Sequence, residues 1–453
     1  MLRYTNGLKR TFYILTVKER ALLKYVQVSP KKCHGCTHCM RHCPVEAIRI
    51  RKGIATIDHQ RCILCGRCLD DCPYHAISIV SPKRRIKSEQ KIKFLIIQEG
   101  FYGHFPTEKH QDVREALRHV GYDHILDCRD FIRLHTLWND NNNKTKKIFT
   151  TCNVIKNLIE IGEVKTDTPI ELVPKISELL IGAIHLLYDD IDQRSTSITL
   201  TTHCMSENYN GISHQHPIFL ANDTLPTSEL VNTIQKKLWS QKDQKSSSFH
   251  LPDTEEKPSK EFVYISGIEE VKGWIHKKEL KPLDYTRDYN LQGCKYGCYN
   301  GTYMSEYASI IKKREAHYQS RLTSKYDRRV SLLLQRLKSF WISNPQQNAE
   351  QHEGFKEALI RSERIRKLMC LLPGIDCGVC GAPSCLSLAK DISKGEARLA
   401  HCVLLDLKWM QNRHVSIETT MLQLRKIWGK KILQFDCTKK GAKNEIIQNR
   451  RDQ

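Results

Sequence analysis

The chain has 453 residues, room for two to four domains with cores of their own. Its 40% hydrophobic content is ordinary for a globular protein, and 72 basic against 50 acidic residues leave it at +22. The best apolar run, Leu179–Leu187, falls far short of the roughly 20 residues of a membrane span, and the basic residues are dispersed, with no long basic tail. A basic balance often points to nucleic acid, but the dispersion of these residues reads as solvated surface, and the apolar runs argue against a membrane span.

The N-terminal stretch has a short apolar patch, Thr11–Val17, closed by charges on both sides and followed by no small-residue cleavage site. No signal peptide is expected, and the expected location is the cytoplasm. Thiols stay reduced there, so 19 cysteines call for metal before disulfides.

The first cysteine motif is "CHGCTHCMRHCP", with Cys33, Cys36, Cys39 and Cys43 ahead of Pro44. The second, "CILCGRCLDDCP", places Cys62, Cys65, Cys68 and Cys72 ahead of Pro73, every ligand 29 positions after its counterpart. The tails "VEAIRI" and "YHAISI" repeat as well, so the segment is an internal duplication. Cys-x2-Cys-x2-Cys-x3-Cys-Pro is the bacterial ferredoxin run for cubane [4Fe–4S] clusters, in which the fourth cysteine reaches the other cube. Cys33, Cys36, Cys39 and Cys72 are thus assigned to one cluster, and Cys62, Cys65, Cys68 and Cys43 to the other. Each proline turns the chain away from its cluster. Zinc also uses paired Cys-x2-Cys, but zinc does not need eight cysteines in two interlocked fours. His34, His38 and His42 read as solvent-facing loop residues, since the cysteines complete both cubes.

Beyond the repeat the pattern changes. Lys93–Gln98, Lys147–Thr151, Ser197–Thr202 and Phe262–Ser266 read as strands, with helices at Asp112–Val120 and Ile176–Leu187. Alternating strands and helices argue an α/β body. Cys152 and Cys204 stand at strand ends, where open α/β sheets place ligands. Cys294 and Cys298 follow in "GCKYGCYNG". Gln241–Glu261 reads as a polar surface loop or linker, and Lys312–Leu371 as connecting helices.

The stretch "LPGIDCGVCGAPSCLSLAKDISKGEARLAHC" holds Cys377, Cys380, Cys385 and Cys402. Gly374, Gly378 and Gly381 let the backbone approach a cluster, and an amphipathic helix with Leu386, Ala389 and Ile392 on one face returns the chain to Cys402. Four thiolates suit a cubane or a structural zinc, and the company of two ferredoxin cubes favours the cubane. One or two helices are expected after Cys402, then a frayed basic tail.

This order resembles the [FeFe]-hydrogenase large-subunit family: two ferredoxin cubes, an α/β region with one, one and two cysteines, then a four-cysteine terminal module. "LPGIDCGVCGAPSC" is similar to the family's terminal module, "GCKYGC" to its third catalytic signature and "FLIIQEGFYGHF" to its opening strand and loop. The resemblance covers roughly Lys31 to Cys402. It implies an α/β body of hydrogenase type between an N-terminal bacterial-ferredoxin-like α+β domain and a small helical C-terminal iron–sulfur module. The implied boundaries are 24–83 for the ferredoxin-like domain, 90–310 for the body, 311–365 for a helical connector, 366–430 for the terminal module and 431–453 for the tail. The resemblance further implies a cubane held by Cys152, Cys204, Cys294 and Cys298, with Cys298 bridging to a diiron unit only in a working hydrogenase. The residues that would serve that unit depart from the family. Thr151 and Asn153 flank the first ligand instead of cysteine and proline. His203 and Glu207 replace a proline and a lysine at the second, and only Gly301 remains of a glycine-rich run after the third. An anion at Glu207 would remove a donor to an anionic diiron ligand.

Sixteen cysteines thus form four quartets, leaving Cys128, Cys370 and Cys437 as ordinary thiols. The expected function is electron transfer or redox sensing by a multi-cluster protein with a doubtful diiron subcluster. The alternatives are a working [FeFe]-hydrogenase or hydrogen sensor, and a zinc-stabilised binding module. Each oxidised cubane with four thiolates carries about −2, so four would bring the net charge to roughly +14. A basic exterior suits an acidic redox partner such as a ferredoxin or a flavoprotein, with a signalling protein as a further candidate.

Overall fold

A computed structural model describes residues 25–406 except 81–91, 132–133, 135–136, 139–147, 165–169, 189–195, 213–216, 241–261, 281–287, 296–297, 299–300, 303, 305–308, 312–313, 315–327 and 342–354. The N-terminal apolar patch, the 241–261 linker, Cys437 and the basic tail lie outside the described residues. The chain divides into two compact units: Met1–Tyr25, Ile63–Gly66 and Ile79–Gln347 form the first, and Val26–Cys62, Arg67–Ser78 and Asn348–Gln453 the second.

The duplicated segment begins with β1 (Val26–Val28), the short helix α1 (His38–Arg41), β2 (Ile48–Arg51) and β3 (Ile54–Ile57). It continues with α2 (Arg67–Asp70) and β4 (Ile77–Ile79). β1 pairs with β4, and β2 with β3 antiparallel, Ile50 opposite Ala55. Lys52 and Gly53 turn that hairpin at φ 50° and 75°, the left-handed pair that a two-residue turn requires. The sequence repeat is also a conformational repeat. Left-handed φ recurs at matched positions: Gly35 and Leu64, Thr37 and Gly66, Glu46 and His75.

The body alternates strands and helices. In chain order these are β5 (Ile92–Ile97), α3 (His110–Arg118), β6 (His124–Asp127), β7 (Ile148–Thr150), α4 (Asn153–Glu160), β8 (Ile170–Leu172), α5 (Ile176–Tyr188), β9 (Thr196–Thr202) and α6 (Met205–Ile212). Then come β10 (Asp223–Pro226), α7 (Thr227–Ser240), β11 (Phe262–Ser266), α8 (Ile268–Leu280) and β12 (Asp288–Gln292). The strands form two four-stranded parallel sheets, ordered β10-β9-β5-β6 and β11-β12-β7-β8. β5 shows why its run is apolar without alternation. Phe94 and Ile96 enter a core with Leu179 and Ile181 of α5, while Leu95 and Ile97 enter another with Val113 and Leu117 of α3 and Ile234 of α7. A strand covered on both faces is apolar throughout. The Leu179–Leu187 run lies in α5, and no helix among the described residues is long and apolar enough to cross a membrane.

The connector holds α9 (Arg328–Phe340), and the second unit closes with α10 (Phe355–Leu371) and α11 (Cys385–Ser393). Ser384 caps α11, its hydroxyl accepting from the Ser387 amide at 3.1 Å. The buried face of α11 is Cys385, Leu388, Ala389 and Ile392; Leu386 is only half-buried. This core takes Leu368, Met369 and Leu372 from α10 and the residue after it.

Candidate metal centres

Cys33, Cys36, Cys39 and Cys72 line one cavity with Ile50, Ala55 and Tyr74. The cysteine contributed by the second motif thus lines the same cavity as three of the first. Burial and the charges of Cys36, Cys33 and Cys72 push the Cys39 thiol up to about 11. Thiols that oppose one another's ionisation are suited to a cationic iron core, which binds them as thiolates. The loop offers amides to its sulfurs: Ala55 N–H donates to Cys33 Sγ at 3.4 Å, Ala47 to Cys43 at 3.2 Å and Ala76 to Cys72 at 3.3 Å. The last two are the same bond in each half of the repeat. Cys43, Cys62, Cys65 and Cys68 are all half-buried. Burial raises the Cys43 thiol, and Arg61 opposes that rise.

In the terminal module four backbone positions turn left-handed within eight residues: Gly374 (φ 70°), Asp376 (47°), Gly378 (73°) and Gly381 (75°). Asp376 accepts from the Cys385 amide at 2.7 Å, which closes the loop onto the start of α11. Burial pushes Cys385 up to about 12, with the Cys402 charge adding to it. Cys402 in turn feels the charges of Cys380 and Cys377. Among the described residues no three His, Cys, Asp or Glu side chains close on a single-ion site.

The body assembles a third group from distant segments. β7, β9 and β12 end at Thr150, Thr202 and Gln292, and each is followed two residues later by a cysteine: Cys152, Cys204 and Cys294. β5 and β9 flank the switch point of one sheet, β7 and β12 that of the other. Ligand crevices of parallel sheets lie at such carboxyl ends. Cys298 joins them. The thiol of Cys294 is raised by burial and by Cys152, Cys298 and Cys65, and that of Cys204 by burial and by Cys294 and Cys298 among others. The Gly293 amide donates to Cys152 Sγ at 3.4 Å. Cys65 belongs to the Ile63–Gly66 loop packed in this unit, where Asn157 of α4 donates to Ile63 O at 3.2 Å and to Ser206 Oγ of α6 at 3.1 Å.

One charge reading needs correcting. Glu207 does replace a lysine in sequence, yet a lysine arrives from elsewhere. Lys175, between β8 and α5, places its ammonium 2.5 Å from Glu207 Oε1 and 3.9 Å from Cys298 Sγ. Burial alone would raise the Glu207 carboxyl, but Lys175, His203 and the His203 amide hold it down at about 2. Burial would lower Lys175, but Cys298 and Glu207 hold it well above its usual range. Burial keeps His203 low. Sequence spacing had no means of finding Lys175, which lies 32 residues before Glu207 on another strand's exit.

Cys128 is a buried free thiol. Cys370 departs from the ordinary-thiol reading: it is disulfide-bonded. It sits half-buried in the last turn of α10, with no motif in its spacing to signal a bond.

Two families match parts of the chain. The 4Fe-4S dicluster domain family covers residues 32–76, and the family described as "Putative Fe-S cluster" covers 372–404. The chain is an iron–sulfur protein with a ferredoxin-like N-terminal domain. No curated protein matches it significantly. Among solved structures, an [FeFe]-hydrogenase examined for oxygen damage to its 2Fe subcluster has 11% identity and a TM-score of 0.38, over 58% of this chain and 92% of that one. An apo [FeFe]-hydrogenase HydA1 from Chlamydomonas reinhardtii has 11% identity and a TM-score of 0.37, over 58% and 93%. An [FeFe]-hydrogenase from work on stepwise H-cluster assembly has 11% and 0.37, over 60% and 95%.

Proposed function

We propose that this chain carries four [4Fe–4S] clusters on an [FeFe]-hydrogenase-like scaffold and serves electron transfer or redox sensing in the cytoplasm. The ligand sets are the four quartets: Cys33, Cys36, Cys39 and Cys72; Cys62, Cys65, Cys68 and Cys43; Cys152, Cys204, Cys294 and Cys298; Cys377, Cys380, Cys385 and Cys402. The observation that most supports the reading is the central group, where β7, β9 and β12 each carry a cysteine two residues past their carboxyl ends and the charges of Cys152, Cys298 and Cys65 act on Cys294. The charge of Cys65 acts on the Cys294 thiol, which supports an electron path between the two quartets. An anaerobic iron and acid-labile sulfide determination tests the count. About sixteen of each per chain supports four cubanes, while about eight leaves only the ferredoxin pair. A basic exterior favours an acidic redox partner, and its reduction of this protein should slow steeply with added salt.

The working-hydrogenase reading is favoured by one observation, the ammonium of Lys175 beside Cys298. It restores the positive charge that Glu207 removes from the motif. Cys298 would hold a diiron group and Lys175 would donate to its anionic ligand; the group itself would supply hydrogen activation. Carbonyl and cyanide stretching bands after maturation would establish this reading, and a matured protein without them would exclude it.

A further inference from the structure

The terminal module and the first ferredoxin cage touch through their own ligand loops. Within the second unit, the Ile50 amide donates to Gly381 O at 2.8 Å, so β2 runs against the loop that carries Cys380. Ile50 also lines the cavity of Cys33, Cys36, Cys39 and Cys72. Arg51 Nη1 donates to Cys380 O at 3.2 Å and Gly381 O at 3.1 Å, and Arg41 Nη2 to Cys377 O at 3.1 Å. Met40, fully buried beside Cys39, packs its methyl toward Gly378. The backbones are so close that a Cβ on Gly381 would come 2.0 Å from Ile50 O.

The seam is fixed by charge. Asp391 of α11, 7% exposed, takes Arg49 at 2.7 and 3.0 Å and Arg51 at 2.8 Å. Glu46 accepts from Ser384 at 3.3 Å and also from Ser387. Two arginines converge on one carboxylate, making three hydrogen bonds to it. Such charge-assisted bonds hold geometry tightly.

We propose that the terminal cluster and the cluster of Cys33, Cys36, Cys39 and Cys72 form one electronically coupled pair, joined through Ile50–Gly381 and Met40–Gly378. This rests on the four-cluster reading above. The step is a single-electron exchange: one cube is oxidised as the other is reduced, no bond forms or breaks, and no proton moves. The electron comes from an external one-electron reductant. The terminal module is therefore a port onto the first ferredoxin cube.

The test is electron paramagnetic resonance of the full chain, reduced anaerobically with dithionite, alongside iron analysis. The terminal signal is assigned by its loss in Cys402→Ser. In the unmodified protein it should be broadened and resist power saturation, because a second reduced cube lies beside it. Asp391→Asn should narrow it and let it saturate at lower power with iron unchanged, while Lys394→Ala, an exposed charge loss near the end of the same helix, should leave it as it was. If Asp391→Asn loses iron, Arg51→Ala removes the carbonyl contacts to Cys380 and Gly381 and should uncouple the signal instead. A full iron count with an isolated terminal signal overturns the pairing alone, and coupling that survives both variants overturns the seam as what joins the pair. A count near eight overturns the four-cluster reading beneath it.

Discussion

The first ferredoxin cage draws Cys33, Cys36 and Cys39 from one short loop, whereas the central quartet gathers Cys152, Cys204, Cys294 and Cys298 from the ends of two sheets. The local cage is shaped by left-handed turns and by the Ala55 and Ala76 amides, which donate to Cys33 and Cys72. The central one depends on the packing of a whole α/β body and on a buried ion pair that contains no sulfur. A local cage is thus specified by spacing and backbone conformation. An assembled one is specified by topology, and residues remote in sequence control its charge.

The sharpest way to break this comparison is Lys175→Met. The Lys175–Glu207 pair is 11% and 3% exposed, and removing one partner of a buried pair costs about 3–5 kcal/mol. Denaturant titration should show that loss, and iron analysis should show about four irons missing per chain, with the ferredoxin signals intact. Adding Glu207→Gln to Lys175→Met should recover most of the stability. A double variant as weak as the single one would show that Lys175 acts through something other than Glu207.

The two cages also differ in how readable they are. The duplicated motif is legible by its spacing, and matched φ values at Gly35 and Leu64 or Glu46 and His75 show that the repeat extends to the backbone. Strands β5, β9 and β11 were legible because each is an apolar or β-branched run bounded by turn signals. β12 was not, since "DYNLQ" has little apolar content and is held as a strand by pairing with β11 and β7. Missing it hid the rule that Cys294 follows its strand by two residues, as Cys152 and Cys204 do. Lys175 was illegible for a stronger reason: nothing local marks a lysine as the partner of a glutamate on another strand's exit. The seam between β2 and the terminal loop was invisible likewise, because Asp391 and Arg49 are 342 residues apart.

Gly381→Ala tests the local side of the comparison. At φ 75° an alanine is strained, and its Cβ would meet Ile50 O, so a loss of about 1–3 kcal/mol is expected in denaturant titration. The release of terminal iron to a chelator should quicken while central iron is unaffected. Ser384→Ala should cost less, about 1 kcal/mol, by leaving the Ser387 amide at the start of α11 without its cap.

The smallest effect is the most diagnostic of the repeat. Thr37 (φ 70°) and Gly66 (φ 83°) are counterparts in the two halves, yet only one is glycine. At Gly66 a Cβ would lie 2.1 Å from the Thr302 methyl, so that half has no space for a side chain. Thr37 makes no capping bond with its side chain, and it bears the left-handed strain without return. Thr37→Gly relieves about 1–2 kcal/mol of that strain but loosens the unfolded chain by about 0.5–1 kcal/mol, leaving a net gain of about 0.5–1 kcal/mol. A higher denaturant midpoint for bleaching of the iron–sulfur absorbance would verify it. A lower midpoint would mean that the threonine side chain supports the first cage directly, and that the two halves of the repeat hold their clusters by different contacts.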